Sequence, residues 1–315
     1  MIARFAALLH LTALLAAAQA PQDDTVHFTV TADYLSRLAN QKSIQVTLEL
    51  TPFARTKRVH ALAADCEIHL TARSKVKLGQ PGEVVVEPPN VCKFDPPGGT
   101  WPTTLDGVLG KKCSITGFPR LFTEHAKGRA DPANPNHFLE LHPASEIDCG
   151  STDLRFSGQL KYFKGMRAIQ PATAASCLQN RKLWMRKKND AVEFHQEPGA
   201  GCGNFVIVQV MSLDQASVRG ATDGFVATAR VSANGVLPGV TARLFGLEDS
   251  PGAAWLEHAG RNGLNQNRVF VHGMLTYDTL AIAKQFQGIG ARAGGEWRMI
   301  PAPLALVIFG FPKAP

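Results

Sequence analysis

The sequence lacks the short motifs that identify the most common enzyme mechanisms. It contains no G-x-S-x-G, no H-E-x-x-H, no Walker loop and no G-x-G-x-x-G. These absences count against a nucleophile elbow, a zincin site, a P-loop and a dinucleotide fingerprint. No C-x-x-C occurs either, so neither a zinc ribbon nor a thioredoxin-like site is indicated. The run LALVIFGF at 304–311 is too short to cross a bilayer and is interpreted as a buried strand.

The first 20 residues are interpreted as a secretory signal peptide. Arg4 precedes an apolar stretch, and Ala18 and Ala20 fit a small-residue cleavage pattern. Cleavage before Gln19 is an equally good alternative, and a retained anchor helix is a third interpretation. No cysteine follows the apolar stretch, so a lipoprotein anchor is not predicted. The expected location is periplasmic or secreted.

All six cysteines lie in the mature part of the chain. An even number behind an export signal predicts disulfides, and we expect at least two. A bridge between Cys177 and Cys202 is favoured because both residues lie in the second half, on what look like neighbouring strands. The remaining connectivities stay open.

The composition predicts a folded, basic protein. Apolar residues make up 45% of the chain and charged residues 19%, and the formal net charge is +7. A basic exported protein attracts anionic partners such as a glycan or a nucleic acid, or a membrane surface. Ordinary solubility charge explains the same excess and is the simpler interpretation.

Alternating apolar and polar residues predict a mainly β protein. The longest pattern, 65–78, is expected to form one strand with a packed face and a solvated polar face. Gly117 and Gly273 each interrupt a strand-like run, which often marks a bulge or a bend in a barrel. We therefore predict an OB-like small barrel followed by a second β-rich domain, with a β-sandwich as the alternative. The expected boundaries are 22–149 and 150–300, with a C-terminal strand or tail at 301–315.

An acid–apolar–histidine pattern occurs twice, in Glu67-Ile68-His69 and Glu140-Leu141-His142. Residues two apart on a strand share a face, so neighbouring strands could bring these carboxylates and imidazoles onto one divalent cation. Such a set suits zinc, manganese or iron. The alternative is a solvated strand face with local ion pairs. The candidate metal ligands are Glu67, His69, Glu140 and His142, and the candidates for a general base are Asp65 and Glu124.

The segment RKLWMRKK at 181–188 is the strongest basic cluster. In a strand, Lys182, Trp184, Arg186 and Lys188 would share one face. Cations that alternate with an aromatic residue suit a single-stranded nucleic acid or a sugar chain. An exposed hairpin with a turn at Asn189-Asp190 is the simpler interpretation of the same residues.

Four segments in a fixed order resemble a family of exported bacterial proteins. The segments are DCEIH (65–69), VVVEPPNVC (84–92), ITGFPRLFTEHAKG (115–128) and NPNHFLELHPASEI (134–147). The family has a D-x-[DE]-x-H segment, a V-E-x-P segment and a closing E-[IL]-H-P, and the resemblance covers 45–148. Family members often carry Trp where Leu139 stands in this chain. The resemblance supplies no activity, but it implies that one constellation unites Asp65, Glu67, His69, Glu87, Glu140 and His142.

The favoured function is that of a ligand-binding protein. Arg73 and Lys75 would supply charge for an anionic or polar ligand, which the acid/histidine face and Glu87 would orient. A metal-dependent hydrolase of phosphodiesterase type, using the same residues, is the first alternative. An envelope interaction protein without a site is the second. A divalent metal is the only cofactor that the sequence suggests. A single site further requires that His69 and His142 approach each other.

Overall fold

The computed structural model describes most of the chain from Val26 to Lys313. The predicted signal peptide, Glu124 and the favoured Cys177–Cys202 bridge lie outside the described residues, and the domain boundaries stay a prediction. The described residues are 26–80, 82–121, 132–169, 173, 182–196, 205–233, 239–263, 269–289, 295–301 and 303–313.

Five strands of the first half close into a barrel. They are β2 (Val46–Arg55), β3 (Leu70–Ser74), β5 (Glu83–Val86), β6 (Cys113–Leu121) and β7 (Leu139–Asp148). Strand β2 lies between β3 and β6, and β5 joins the two ends of the sheet by pairing in parallel with β7. The first strand thus pairs with the second and fourth, and the third pairs with the fifth, as in an OB-fold. Helix α2 (Trp101–Asp106) connects β5 to β6, and β8 (Asp153–Arg155) pairs with the far end of β7. The predicted OB-like barrel is confirmed.

A second closed barrel follows the same strand order. It contains β11 (Phe205–Ala221), β12 (Gly224–Ser232), β13 (Val240–Leu247), β14 (Val269–Tyr277) and β16 (Leu304–Gly310). Its third and fifth strands, β13 and β16, also pair in parallel. Helix α3 (Pro251–Asn262) connects the third strand to the fourth, as α2 does in the first barrel. The predicted second β-rich unit therefore repeats the architecture of the first.

The two glycines inside strands occupy the same place in the two barrels. Gly117 lies in β6 and Gly273 in β14, each the fourth strand of its barrel, and the pairing register shifts at both. A Cβ on Gly117 would lie 2.9 Å from the carbonyl oxygen of Pro143, and one on Gly273 would lie 2.5 Å from that of Val307. The fifth strand approaches so closely that only glycine fits, which explains the bulges that the sequence predicted.

A third sheet combines strands from both halves of the chain. Its order is β15 (Arg298–Pro301), β9 (Lys182–Lys188), β10 (Ala191–Gln196), β1 (Val26–Thr31) and β4 (Gly79–Gln80). One side of this sheet packs into the core through residues such as Phe28, Leu183, Met185 and Phe194. The other side carries the polar and aromatic residues of β9.

Three helices begin directly after a residue whose side chain accepts a hydrogen bond from a backbone amide of the first turn. Helix α1 (Ala32–Asn40) follows Thr31, whose hydroxyl accepts a hydrogen bond from the Tyr34 amide. Ser250 caps α3, and Asp278 accepts from the Ala281 amide at the start of α4 (Thr279–Ile289). None of the described helices is long and apolar enough to span a bilayer.

The prediction of one long strand over 65–78 was wrong. Only β3 (Leu70–Ser74) is extended and paired there, because Cys66 has a φ of 62° and is held by a disulfide to Cys92. The polar positions before β3 are not solvated either: Glu67 is 0% exposed and His69 is 5% exposed. Strand β7 continues beyond His142, whose peptide bond to Pro143 is cis.

Two disulfides lie within the described residues, as expected for an oxidising compartment. Cys66 pairs with Cys92, and Cys113 pairs with Cys149. The first ties the loop before β3 to the loop after β5. The second joins the start of β6 to the residue after β7, so both bridges brace the first barrel.

The buried His272 of β14 should make the protein less stable in mild acid. Burial lowers the pKa of His272 from 6.5 to about 4, and only a hydrogen bond with the Arg167 carbonyl opposes that shift. The unfolded chain therefore binds a proton first, and stability is lost as the pH falls from 6.5 to about 4. The loss is about 3 kcal/mol for this group. Urea unfolding at both ends of that range should show His272→Phe losing less stability than the wild type, and an equal loss would contradict the assignment.

Candidate functional site

The acid and histidine residues of the first half gather on one side of the first barrel, where Arg120 reaches the Leu275 carbonyl and His142 contacts Phe205 of the second barrel. In an OB-fold, the loops after the first and fourth strands border the face that most often binds ligands. The loop after β2 carries His60 and Asp65, and the loop after β6 ends near His137. The cluster described below consists of Glu67, His69, Glu87, Arg120, His137, Glu140 and His142, and all seven are at most 5% exposed.

Strand β7 places Glu140 and His142 on one face, as the alternation predicts, but that face points into the protein. Glu140 is 2% exposed and His142 is 0% exposed. Residue Glu140 lies opposite Arg120 on β6 and opposite Val85 on β5. The neighbouring strand therefore supplies the cation that a buried carboxylate requires.

His142 lies between two carboxylates. Its Nε2 is 2.8 Å from Glu67 Oε1, and its Nδ1 is 2.8 Å from Glu87 Oε2. Burial alone would lower the pKa of His142, but Glu67 and Glu87 outweigh it and raise that pKa well above its usual value. His142 Nδ1 also lies 3.2 Å from an Arg120 guanidinium nitrogen, and the close Glu87 Oε2 has no hydrogen-bond partner among the described residues, so only the Glu67 oxygen is held by a hydrogen bond from this ring.

Glu140 is held by a guanidinium and an imidazole. Arg120 donates to Glu140 Oε2 at 2.6 Å, and His137 Nε2 lies 3.1 Å from Oε1. Burial raises the pKa of Glu140, but the Arg120 guanidinium and His137 hold it well below its usual range. The other ring nitrogen of His137, Nδ1, donates to the Pro135 carbonyl at 2.6 Å. For His137, burial lowers the pKa, and the Glu140 hydrogen bond raises it by more.

The two carboxylates on His142 differ in their second oxygens. Glu87 Oε1 is 3.6 Å from His69 Nε2. Glu67 Oε2 is buried and has no hydrogen-bond partner among the described residues. Burial raises the pKa of Glu67 well above its usual value despite His142, whereas His142 and His69 overcome burial and lower the pKa of Glu87.

A histidine that the sequence analysis missed links this cluster to solvent. His60 Nδ1 is 2.6 Å from Asp65 Oδ1, and the His60 ring is edge-on to His69 with centroids 4.9 Å apart. The side chains of His60 and Asp65 are 33% and 14% exposed. The Asp65 hydrogen bond raises the pKa of His60 against the effect of burial. Asp65 thus lies at the solvent side of the constellation that the resemblance implied.

His69 and His142 approach each other, as a single site requires, because both rings lie beside the Glu87 carboxylate. Arg120 and His137 were missed along with His60. A signal existed for His137, which lies three residues before Glu140 in HFLELH. For Arg120, the signal was the need of buried carboxylates for a cation. Glu140 pairs with this arginine rather than with Arg73 or Lys75.

The remaining candidate residues lie elsewhere. Arg73 is on the exposed side of β3, where it pairs with Glu83 at 3.8 Å and stacks over Phe53 at 4.2 Å. Lys75 is exposed just beyond β3. Lys182, Trp184 and Arg186 share the outer side of the third sheet. Their roles in ligand binding stay predictions.

Three sets of side chains present donor atoms that lie within 4.8 Å of one another. Glu87 and His69 are shared between sets, so the sets run from the half-exposed His60 into the core. The sets are Glu67/His69/Glu87, His60/Asp65/His69 and Glu87/His137/Glu140.

Comparison of the chain with protein-family models and with curated proteins finds no match. The resemblance to the exported bacterial family therefore stays a prediction. The chemistry of the site has to be argued from its geometry.

Proposed function

We propose that this is an exported protein whose first barrel binds a divalent cation through Glu67, His69 and Glu87. The observation that carries the proposal is the 3.6 Å distance between His69 Nε2 and Glu87 Oε1. This distance is too long for a hydrogen bond. It is close to the separation of about 3.4 Å between two ligands of a tetrahedral ion with bonds of about 2.1 Å.

Buried oxygens of both carboxylates support the same site. His142 Nε2 holds Glu67 Oε1, while Glu67 Oε2 and Glu87 Oε2 are both buried without a hydrogen-bond partner among the described residues. His142 is then a positioning residue that orients Glu67, a common feature of metal centres. A buried carboxylate oxygen without a partner is costly, and a cation would remove that cost.

Burial favours an ion over a larger ligand. The three proposed ligands are at most 5% exposed, so an anionic glycan or nucleic acid has no exposed polar face to contact there. The set Glu87/His137/Glu140 is a weaker candidate for an ion because Glu140 already pairs with Arg120 and His137. The predicted anionic ligand on Arg73 and Lys75 would need a separate surface.

Export to the periplasm or the exterior is part of the proposal. It rests on the predicted signal peptide, and the two disulfides support it because such bonds persist mainly in oxidising compartments. A buried site of this kind could acquire its ion after export, during or after folding.

Calorimetric titration of chelator-treated protein with Zn²⁺ and Mn²⁺ tests the proposal. We expect one ion per chain and a loss of at least about 100-fold in affinity for His69→Ala, because loss of even an outer-shell partner of a ligand costs about 10–100-fold. The control is His258→Ala, which removes an exposed histidine of α3. Glu67→Gln should weaken binding strongly and Asp65→Asn only slightly. The reverse order would place the ion at His60/Asp65/His69 and contradict the proposed ligand set.

A metal-dependent hydrolase is the second candidate function, and the His60–Asp65 pair favours it. Asp65 accepts a hydrogen bond from His60 Nδ1. The Nε2 atom of His60, whose ring contacts His69, is then left to take a proton from a water molecule. A bound cation would supply Lewis-acid polarisation of a phosphoryl group. We expect cation-loaded protein to cleave bis(p-nitrophenyl) phosphate, and His60→Gln to lower kcat with little change in cation affinity. Equal turnover by wild type and variant would rule out this role for His60.

A further inference from the structure

The outer side of the third sheet carries a second polar and aromatic site, which is separate from the proposed cation site. Across β9 and β10, Trp184 lies opposite His195 and Arg186 lies opposite Glu193. Across β10 and β1, His195 lies opposite His27. Directly opposed residues of antiparallel strands point to the same side, so all five side chains belong to this outer face.

Trp297, just before β15, lies flat on this face. Its ring stacks on the His195 ring with centroids 4.0 Å apart and an angle of 22° between the planes. The Arg186 guanidinium lies 4.3 Å from the centre of the Trp297 ring. Trp184 also contacts His195, edge-on at 4.9 Å. The indole is therefore held in place on a rigid strand pair rather than left to move freely.

His195 forms the floor of this arrangement. It is 0% exposed, and neither ring nitrogen has a hydrogen-bond partner among the described residues. Burial lowers the pKa of His195 to about 4, with smaller contributions from His27 and Arg186. The floor beneath Trp297 is therefore an uncharged ring at neutral pH.

The residues that line a groove beside Trp297 carry one positive and one negative charge. Arg186 is the one guanidinium or ammonium group that lines it within the described part of the chain. Arg186 Nε donates to Glu193 Oε2 at 2.5 Å, and Lys188 Nζ lies 3.2 Å from Glu193 Oε1. Glu193 thus forms ion pairs with both Arg186 and Lys188, and its carboxylate would repel a phosphate or sulfate group. This arrangement disfavours the nucleic acid or anionic glycan that the basic sequence suggested.

We propose that this groove binds a neutral saccharide unit, stacked on Trp297 and hydrogen-bonded through its hydroxyls to Glu193, Arg186 and Gln80. A sugar ring has an apolar C–H face and a rim of hydroxyls that both donate and accept. Trp297 offers a flat apolar surface for the C–H face of the sugar. Glu193 accepts hydrogen bonds, Arg186 donates them and the Gln80 amide does both, which matches the hydroxyl rim of the sugar. The groove measures about 620 Å³, the size of a small-ligand site.

The test is calorimetric titration of the full chain with neutral hexasaccharides of glucose, xylose and N-acetylglucosamine. A heparin-derived hexasaccharide and an oligothymidylate serve as anionic comparisons. We expect at least one neutral chain to bind at one site, and Trp297→Ala to weaken that binding about tenfold, the effect of losing one stacking contact. The matched control is Met211→Ala, which alters an exposed methionine on β11.

Two further variants keep the test decisive if Trp297→Ala disturbs the sheet. Gln80→Ala removes an exposed amide on the edge strand and should weaken a neutral sugar several-fold. Glu193→Gln should also weaken a neutral sugar, whereas it should strengthen an anionic ligand by removing a repulsive charge. Binding of the anionic probes alone, binding of no neutral chain, or neutral binding unchanged in all three variants would overturn the proposal.

Discussion

Replacing Arg120 with methionine should destabilise the protein by about 3–5 kcal/mol, the usual cost of removing one partner of a buried ion pair. Arg120 is 1% exposed and donates to Glu140 Oε2 at 2.6 Å. Methionine fills similar space but leaves the Glu140 carboxylate buried with only the His137 and His142 imidazoles beside it. The measurement is the free energy of unfolding from urea titration at neutral pH.

Two comparisons separate this effect from a simple loss of packing. Arg155→Met removes an exposed partner of Glu146, with an arginine side chain that is 72% exposed, and should leave stability unchanged within error. The double variant Arg120→Met with Glu140→Gln removes both charges and should recover a substantial part of the loss. If Arg120→Met cost no more than Arg155→Met, the cluster would not depend on charge balance.

Reduction of the two described disulfides should unfold the protein or bring it close to unfolding. The bridges close loops of 26 and 36 residues. Chain entropy assigns them about 3.5 and about 4 kcal/mol, which together approach the whole stability of many domains. The measurement is the urea midpoint of the Cys66→Ala/Cys92→Ala and Cys113→Ala/Cys149→Ala variants, each compared with the wild type.

The two bridges should differ in their effect on cation binding. Cys66 precedes Glu67 directly, and its disulfide fixes the loop that carries Glu67 and His69. Loss of Cys66–Cys92 should therefore weaken Zn²⁺ binding as well as stability. Loss of Cys113–Cys149 should lower stability with little change in affinity, and the opposite result would remove the structural link between this loop and the site.

The β class and an OB-like small barrel could be predicted because both rest on local signals. Alternation with a period of two identifies a strand without knowledge of its neighbours. Gly117 and Gly273 mark the places where the fourth strand of each barrel approaches the fifth. The repetition of the barrel in the second half was visible only as this shared glycine.

The interior position of the acid/histidine face could not be predicted from alternation. Periodicity shows that Glu140 and His142 share a face, but not whether that face is buried. This polar face can be buried because Arg120, from a different strand, forms a hydrogen bond with Glu140. Glu67, from a distant loop, forms one with His142. The long-strand prediction for 65–78 failed for a related reason, since the Cys66 disulfide bends the chain where the pattern still alternates.

The outer face of the third sheet was predicted in part. Lys182, Trp184 and Arg186 share a side, as the alternation indicated. Trp297, however, joins that side through the pairing of β15 with β9, which brings together residues far apart in sequence. Glu193 pairs with both Arg186 and Lys188, so the positive charge of a cluster that is basic in sequence is partly offset in the fold.

The most direct test of the proposed cation site is anomalous diffraction at the zinc edge from crystals soaked with Zn²⁺. The account predicts one strong peak in the cluster, bonded to Glu67 Oε2, His69 Nε2 and an oxygen of Glu87 at about 2.0–2.2 Å. His142 Nε2 should remain hydrogen-bonded to Glu67 Oε1. A peak on His60 and Asp65 without Glu67, or no peak in the cluster at all, would contradict the account.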